Sequence, residues 1–458
     1  MPDQWRADAF GFAGNPLIAT PNIDSLAARG ITFGTAYCES PVCQPSRASL
    51  VTGLYPSSHG LQDNEHIETW RKGQFPGPGT PTFMQSLRAS GYRTAEIGKM
   101  HFALRLRDTA GYVESYGFDE CLHEYDKYEL ITRDSPYTEH LRQLGMLDGW
   151  RTEVTETRDM ARGVLEGPKA RAENLNPAHT LDSFIGKEAC DYLEVQARDR
   201  DPFFLWVAFV GPHMPYDGPR PYSDRYDIDE IPMGPLGRDT FPDNRYGEFL
   251  TWNVQHLRVD RLNESDYRMI GKYYYGTATM IDDAVGRLLH TLEMTGLAES
   301  TWIFFSSDHG ELLGDHGFYS KRMFYRSAAL VPQVVVPPAA QIGAIAAGLT
   351  QGFDIPRTIL ELAGADPVGD GSRSLLPAVS NPTHPIRDVA FSEIADFLMV
   401  ATAQKKLVVD SRDLTPQALF DLVSDPDERH NLVSDPAGQA DVKELLKEHA
   451  EPFLEARR

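Results

Sequence analysis

The sequence is short of cysteine and of positive charge, and it has no long apolar run. Its four cysteines, Cys38, Cys43, Cys121 and Cys190, are too few and too scattered among 458 residues for a disulfide framework or a zinc cluster. Lys and Arg number 44 against 66 Asp and Glu, a net charge of −22. That balance argues against partnership with nucleic acid or an anionic membrane, since both need a basic face. The most apolar stretches, Phe203–Val210 and Ile342–Leu349, are far too short to span a bilayer. Met1 runs directly into the polar stretch Pro2–Asp8. No secretory signal is therefore expected, and a reducing, cytoplasmic compartment is. There is no internal repeat, which excludes solenoids. What remains is a chain 41% apolar and 24% charged, a composition outside the disordered range. Its length suits a large domain over 1–375 followed by a smaller one over 376–458.

Short β-branched and aromatic runs alternate with longer helical patterns, the pattern of an α/β fold. Strands are expected at Tyr92–Ile97, Phe203–Phe209, Thr301–Ser306 and Leu330–Val336. Phe203–Phe209 is apolar throughout, as a strand covered on both faces requires. Helices are expected over His179–Ala197, Asp266–Leu292 and Pro356–Ala363. In the second, Ile270, Tyr274, Thr277, Ile281, Val285 and Leu288 keep helical spacing. Met214–Leu262, rich in Pro, Gly, Asp and Arg, reads as a long surface excursion or lid, and Gly364–Pro385 as a linker. Val389–Glu393, Phe397–Thr402, Lys406–Val409 and Ala418–Leu422 then read as short antiparallel strands closed by a helix over Asp441–Ala456.

Three of the expected strands end alike. One runs into Gly98-Lys99-Met100-His101, one into Gly211-Pro212-His213, one into Asp308-His309-Gly310-Glu311. The carboxyl ends of parallel strands open onto one edge, where ligands bind. Singly, each is ordinary loop chemistry; together they place a carboxylate, three imidazoles and an ammonium at one edge. A fourth element is Cys43-Gln44-Pro45-Ser46-Arg47. Pro45 suits a first helical position and Gly53 a stop, so Cys43 sits just ahead of a helix N-terminus, where an anion is favoured. Arg47, one turn along, argues against an inert buried cysteine. Cys38, Cys121 and Cys190 read as structural, and His59, His66 and His123 as loop histidines.

Cys43-Gln44-Pro45-Ser46-Arg47 resembles the Cys-x-Pro-Ser-Arg signature of the type I sulfatases, whose cysteine is oxidised to Cα-formylglycine. Gly98-Lys99-Met100-His101 is similar to the Gly-Lys-x-His segment of that family, and Pro212-His213-Met214-Pro215-Tyr216 to its His-x-Pro-Tyr segment. Ser307-Asp308-His309-Gly310-Glu311 resembles its second metal segment, and Phe420-Asp421-Leu422 with Asn431-Leu432 its C-terminal subdomain. The resemblance implies an alkaline-phosphatase-like α/β fold: a large, mostly parallel sheet between helices, with a small antiparallel α+β subdomain. It implies one divalent metal, calcium before magnesium or manganese, held by Asp3, Asp308 and His309 with Gln4 alongside. Asp3-Gln4 and Asp308-His309 are closer to choline sulfatases and phosphonate monoester hydrolases than to many arylsulfatases.

The same resemblance implies hydrolysis of a sulfate monoester. A hydrated aldehyde at residue 43 attacks sulfur with one hydroxyl and expels sulfate with the other, a self-release that a serine ester lacks. Arg47, Lys99 and Lys321 would offset substrate charge, His213 with Lys321 would protonate the leaving oxygen, and His101 would act as base. Asn64 is a further substrate-contact candidate. A formylglycine-generating enzyme is the implied maturation partner. Two alternatives stand beside this reading: a phosphonate monoester or phosphodiester hydrolase with the same nucleophile, and a non-catalytic binding relative. Family members begin with a buried strand leading into the first metal carboxylate. Only its end, Asp3-Gln4-Trp5-Arg6, is present, so an in-frame strand is expected upstream of Met1.

Overall fold

A computed structural model of the chain describes residues 1–64, 80–101, 114–162, 169–199, 201–234 and 241–457. Its strands, in chain order, are β1 (Ile31–Phe33), β2 (Ala36–Tyr37), β3 (Arg93–Gly98), β4 (Glu120–His123), β5 (Phe203–Ala208) and β6 (Ile303–Ser306). They continue with β7 (Leu330–Val331), β8 (Gln333–Val336), β9 (Ala344–Ala346), β10 (Thr350–Gln351), β11 (Ala390–Ile394), β12 (Phe397–Ala401), β13 (Lys405–Asp410) and β14 (Pro416–Asp421). The class is the expected mixed α/β one. β3 pairs in parallel with both β4 and β5. Residues Met1–Asp3 run beside the end of β5: Phe209 N donates to Met1 O (3.1 Å) and Asp3 N to Gly211 O (3.2 Å). A second block has the order β6-β8-β1-β9, with β8 antiparallel to both neighbours and β9 parallel to β1.

The run Leu330–Val336 does not form one strand. Pro332 has no N–H to donate and divides it. Leu330–Val331 pairs with β2, and Gln333–Val336 with β6 and β1.

The helices that matter here are α1 (Pro21–Arg29), α2 (Cys43–Thr52), α3 (Leu181–Asp199), α4 (Glu264–Met294) and α5 (Asp354–Ala363). Asn263 starts α4 with a capping box, its side chain accepting from Asp266 N. Ile270, Tyr274, Ile281 and Val285 form the buried stripe that the spacing called for. That stripe joins Trp5, Phe10, Ile185, Phe209 and Phe305 in the main core.

Two expectations of loose chain are replaced by packing. The stretch Gly364–Pro385 contains a short helix, Leu376–Ser380, and Leu375 and Ala378 are buried against Ile31, Phe33 and Val335. Within Met214–Leu262, Arg245–Leu257 is a helix whose Tyr246 and Leu250 lie in a core with Phe324 and Phe397. The closing helix is also interrupted. Gln439–Leu445 passes through a π turn, Leu446–Ala450, before Glu451–Glu455. Pro452 lacks the N–H that an unbroken α-helix needs there.

β11 to β14 form an antiparallel sheet in chain order. Leu398, Val400, Leu407 and Leu419 of this sheet share a core with Ala48, Leu50 and Val51 of α2. The C-terminal sheet therefore backs the helix that carries Cys43.

Glu39, on the segment leading into α2, is buried; Oε1 accepts from Phe353 N (3.1 Å), while Oε2 has no partner among the described residues. Burial pushes its carboxyl up to about 8. Folded protein then holds a proton that the unfolded chain has released, so Glu39 contributes stability at low pH that is lost as pH rises towards 8. Glu39→Gln should make the decline in urea-unfolding free energy between pH 5 and pH 8 shallower. Identical slopes in the two proteins would show that Glu39 does not carry that proton.

Candidate active site

Three chain turns bring the polar groups together, and glycine makes two of them possible. Gly98 closes β3 with φ +118°, and a Cβ there would lie 2.0 Å from Ala208 O. After β6, a Cβ on Gly310 would lie 1.9 Å from Ser327 O. The third turn, after β5, is held by Asp182 of α3, whose Oδ1 accepts from Val210 N (2.7 Å) and Gly211 N (3.0 Å). Ser307 Oγ accepts from Trp5 N (2.9 Å), and Asp308 Oδ1 from Gln4 N (3.0 Å), which fixes the start of the chain against the end of β6.

Cys43 is the first residue of α2 rather than the residue before it, with Val42 extended at the cap and Gly53 left-handed (φ 67°) at the other end. Its thiol is buried, 2.8 Å from Lys321 Nζ, 3.1 Å from His309 Nε2 and 3.8 Å from Asp3 Oδ1. Burial alone would raise the thiol; Lys321, His309 and hydrogen bonds from His101 and His213 outweigh it and hold it well below its ordinary value. Donor atoms of Asp3, Cys43, Asp308 and His309 all lie within 4.8 Å of one another.

Arg47 lies in the midst of these groups without exposure. Nε donates to Asp308 Oδ2 (2.8 Å), one terminal nitrogen to Asp3 Oδ2 (3.1 Å), and the other to Lys99 O. Lys99 Nζ donates to Asp3 Oδ2 (2.5 Å) and Asp126 Oδ1 (2.6 Å). Although burial opposes ionisation, Lys99, His213 and Arg47 hold Asp3 far below the usual carboxylate range. Asp126 also faces His101 Nε2 (3.8 Å) and His213 Nδ1 (3.5 Å). Burial and the nearby Lys99 lower His101. Against burial, Asp308 and Cys43 raise His309.

The sequence candidates Asp3, Gln4, Cys43, Arg47, Lys99, His101, His213, Asp308, His309 and Lys321 thus meet in one cluster. Gln4 takes a particular place in it: Oε1 accepts from Lys321 Nζ (2.7 Å), and Nε2 donates to Glu311 and Tyr216 OH. Asn64 reaches the backbone, Oδ1 accepting from Gln44 N (3.0 Å) beside the thiol. Of the other histidines, His59 Nε2 meets Ser49 Oγ (3.0 Å). His123 is not on a loop: it ends β4, buried, 3.8 Å from Glu96. His66 lies outside the described residues.

Asp126, Tyr216 and Glu311 were not singled out for roles. Glu311 and Tyr216 lie inside quoted segments and could have been found. Asp126 follows β4 in a stretch without pattern, and only folding brings it to Lys99.

The donors suit a divalent cation. His309 Nδ1 lies 2.8 Å from Gly310 O, which can only accept, so Nδ1–H donates there and Nε2, turned to the carboxylates, is the nitrogen a metal would take in place of a proton. Those carboxylate oxygens are 3.9 Å (Asp3) and 3.8 Å (Asp308) from Nε2.

Comparison with known proteins agrees in family and fold. The family model described as Sulfatase matches residues 1–365, and that described as N-sulphoglucosamine sulphohydrolase, C-terminal, residues 314–454. A choline-sulfatase of Rhizobium meliloti (strain 1021) is 30% identical over 466 residues, covering 97% of this chain and 83% of its own. An arylsulfatase of Clostridium perfringens (strain 13 / Type A) is 29% identical over 452 residues, covering 95% and 89%. In fold, the phosphonate monoester hydrolase of Agrobacterium radiobacter superposes with a TM-score of 0.77 at 24% identity, over 100% of this chain and 94% of that one.

Removing the Arg47 guanidinium would leave two buried carboxylates facing each other. Arg47→Met, in chelator, should lower the unfolding free energy by about 3–5 kcal/mol. A loss below about 1 kcal/mol, the scale of an exposed pair, would mean that Asp3 and Asp308 are not both charged.

Proposed function

The chain belongs to the sulfatase family and is a sulfuric ester hydrolase, and on that premise we propose that it acts on a sulfate monoester through a formylglycine made from Cys43, beside one divalent metal. The observation that carries this reading is the meeting of Cys43 Sγ, Lys321 Nζ, His309 Nε2 and Asp3 Oδ1 within 3.8 Å of the sulfur at the start of α2.

A hydrated aldehyde at residue 43 supplies two hydroxyls, one to attack the ester and one to let the sulfate go. Asp3, Asp308 and His309 would hold the metal, which supplies positive charge against the sulfate oxygens. Gln4 Oε1 is the fourth candidate, and there Lys321 competes for it. Two carboxylates and an amide oxygen favour calcium or magnesium; the imidazole admits manganese.

Arg47 and Lys99 are each tied to a carboxylate, so they hold Asp3 and Asp308 in place. Lys321, bound among the described residues to Gln4 and the thiol and to no carboxylate, is placed to meet the substrate. His213 Nδ1 contacts Met214 O (2.8 Å) and Asp126, which orients the ring to protonate the leaving oxygen. His101, lowered by burial and Lys99, is neutral near pH 7 and suited to take a proton from residue 43. Asp126 touches Lys99, His101 and His213 together and so keeps acid and base in register.

The reading is tested on protein whose residue 43 has been characterised by intact mass. Cys43→Ala should be inactive, and Cys43→Ser should take up one sulfuryl group and stall, for want of a second hydroxyl. His213→Ala should slow esters of poor leaving groups by roughly 10²–10⁴-fold and activated nitrophenyl esters far less. The converted enzyme should turn over an aryl sulfate faster than the matching aryl phosphonate. The reverse order would transfer it to the phosphonate and phosphodiester hydrolases. Full activity with an unmodified thiol at Cys43 would defeat the mechanism.

A further inference from the structure

Before conversion, residue 43 is a thiol, and the cluster around it has different chemistry. We propose that the unconverted chain holds a zinc-type ion in a closed four-coordinate site made by Cys43 Sγ, His309 Nε2, Asp3 Oδ1 and an Asp308 carboxylate oxygen, and that conversion of Cys43 changes which metal the protein retains. The second half rests on the reading of Cys43 as the converted residue; the first does not.

The geometry is that of a small tetrahedral ion. Zinc bonds of about 2.0–2.3 Å imply donor-to-donor edges of roughly 3.3–3.7 Å. Here Sγ to Nε2 is 3.1 Å, Sγ to Asp3 Oδ1 3.8 Å, Nε2 to Asp3 Oδ1 3.9 Å and Nε2 to Asp308 Oδ2 3.8 Å. These four edges differ from that range by a few tenths of an ångström, and the two from Asp308 to the sulfur and to Asp3 lie within 4.8 Å. A closed set of four protein donors, with no position left for water, is the arrangement of a structural zinc site rather than a catalytic one.

The surroundings prepare three of the donors, while Asp308 is held by Arg47 Nε on Oδ2 (2.8 Å) and by Gln4 N on Oδ1 (3.0 Å). Lys99 and Arg47 both donate to Asp3 Oδ2, which leaves Oδ1 turned to the sulfur. The contact of His309 Nδ1 with Gly310 O leaves Nε2 free to bind. Lys321 Nζ, 2.8 Å from Sγ, favours the thiolate and leaves it further lone pairs. On binding, the thiolate donates a lone pair to the metal; no bond is broken, and the step needs no redox partner. Two carboxylates and a thiolate against a divalent ion leave one negative charge, and Arg47, Lys99 and Lys321 stand beside it.

Thiolate selects zinc over magnesium or calcium, whereas carboxylate and carbonyl oxygens suit the harder ions. Conversion removes the one soft donor and opens the closed set. Unconverted and converted molecules should then partition between different metals.

The test uses the full chain with Cys43 shown by intact mass to be an unmodified thiol, stripped with chelator and titrated with Co²⁺ alone. One Co²⁺ per chain should bind with a thiolate-to-cobalt charge-transfer band, bleached by stoichiometric Zn²⁺ and insensitive to a hundredfold excess of Ca²⁺. In Cys43→Ser the band should vanish. Asp308→Asn should weaken Co²⁺ at least about tenfold. As a measurement on the unsubstituted chain, Zn²⁺ should slow alkylation of Cys43 by iodoacetamide at least about tenfold, and Ca²⁺ should not. No band in the unconverted chain, a band that survives Cys43→Ser, or alkylation unaffected by Zn²⁺ would each overturn the proposal. Failure of sulfate turnover by converted protein would instead overturn the proposed mechanism and leave the cobalt result standing.

Discussion

The structure depends on the burial of one guanidinium between two carboxylates. Arg47, Asp3 and Asp308 have fully buried side chains, and each would be costly to bury alone. Asp3 comes from the start of the chain, Arg47 from α2 and Asp308 from the end of β6, so one charge arrangement joins three remote segments. Lys99, from the end of β3, adds a second cation to Asp3 and passes the constraint to Asp126. In a chain of net charge −22, Arg47 and Lys99 are gathered here against Asp3, Asp126 and Asp308, so the buried charges largely cancel one another. The same groups that make the interior tolerable therefore make the site.

The elements that local chemistry dictates were legible. β3, β5 and β6, the long helix α4 and the antiparallel C-terminal strands fall where apolar runs and helical spacing put them, each end within two residues. The ends of β3, β5 and β6 could be read as one edge because each finishes in glycine or polar residues directly after an apolar run. Cys43 was legible through its neighbours, Pro45 inside the first turn and Gly53 at the stop. What failed did so for identifiable reasons. The strand expected over Leu330–Val336 ignored Pro332, although proline inside an apolar run is itself a signal. The Gly-, Asp- and Ser-rich stretch before β11 looked like linker because its composition is polar on average. Its few apolar residues, Leu375 and Ala378, nonetheless find a core that only the fold supplies.

Asp126 marks the limit of such reading within the site. It touches Lys99, which lies 27 positions away, and His213, 87 positions away, and no spacing along the chain relates the three. Such a residue is found only once β3, β4 and β5 are laid side by side. Gln4 is a related case. Its position beside Asp3 suggested a metal ligand, yet its amide is divided between Lys321 and Glu311, and those two side chains set its orientation.

The C-terminal sheet has a part in this arrangement beyond covering apolar surface. Lys406 of β13 is buried, paired with Glu428, and donates to Phe324 O (2.8 Å). Glu428 Oε2 in turn accepts from Arg326 N (2.7 Å). These bonds grip the backbone three and five residues beyond Lys321. On the near side, Ser320 and Arg322 take left-handed backbone (φ 70° and 80°), a conformation that costs non-glycine residues free energy. Arg322 N is held to Pro41 O (3.1 Å), two residues before Cys43, and its guanidinium to the Asp63 carboxylate, next to Asn64. Strain at 320 and 322 persists because both flanks are fixed: Ser320 O accepts from Leu312 N (2.8 Å), and beyond Lys321 the chain is held by the segment that leads into α2 and by the C-terminal sheet. The place of the Lys321 ammonium beside Cys43 is thus set by parts of the chain remote from it in sequence.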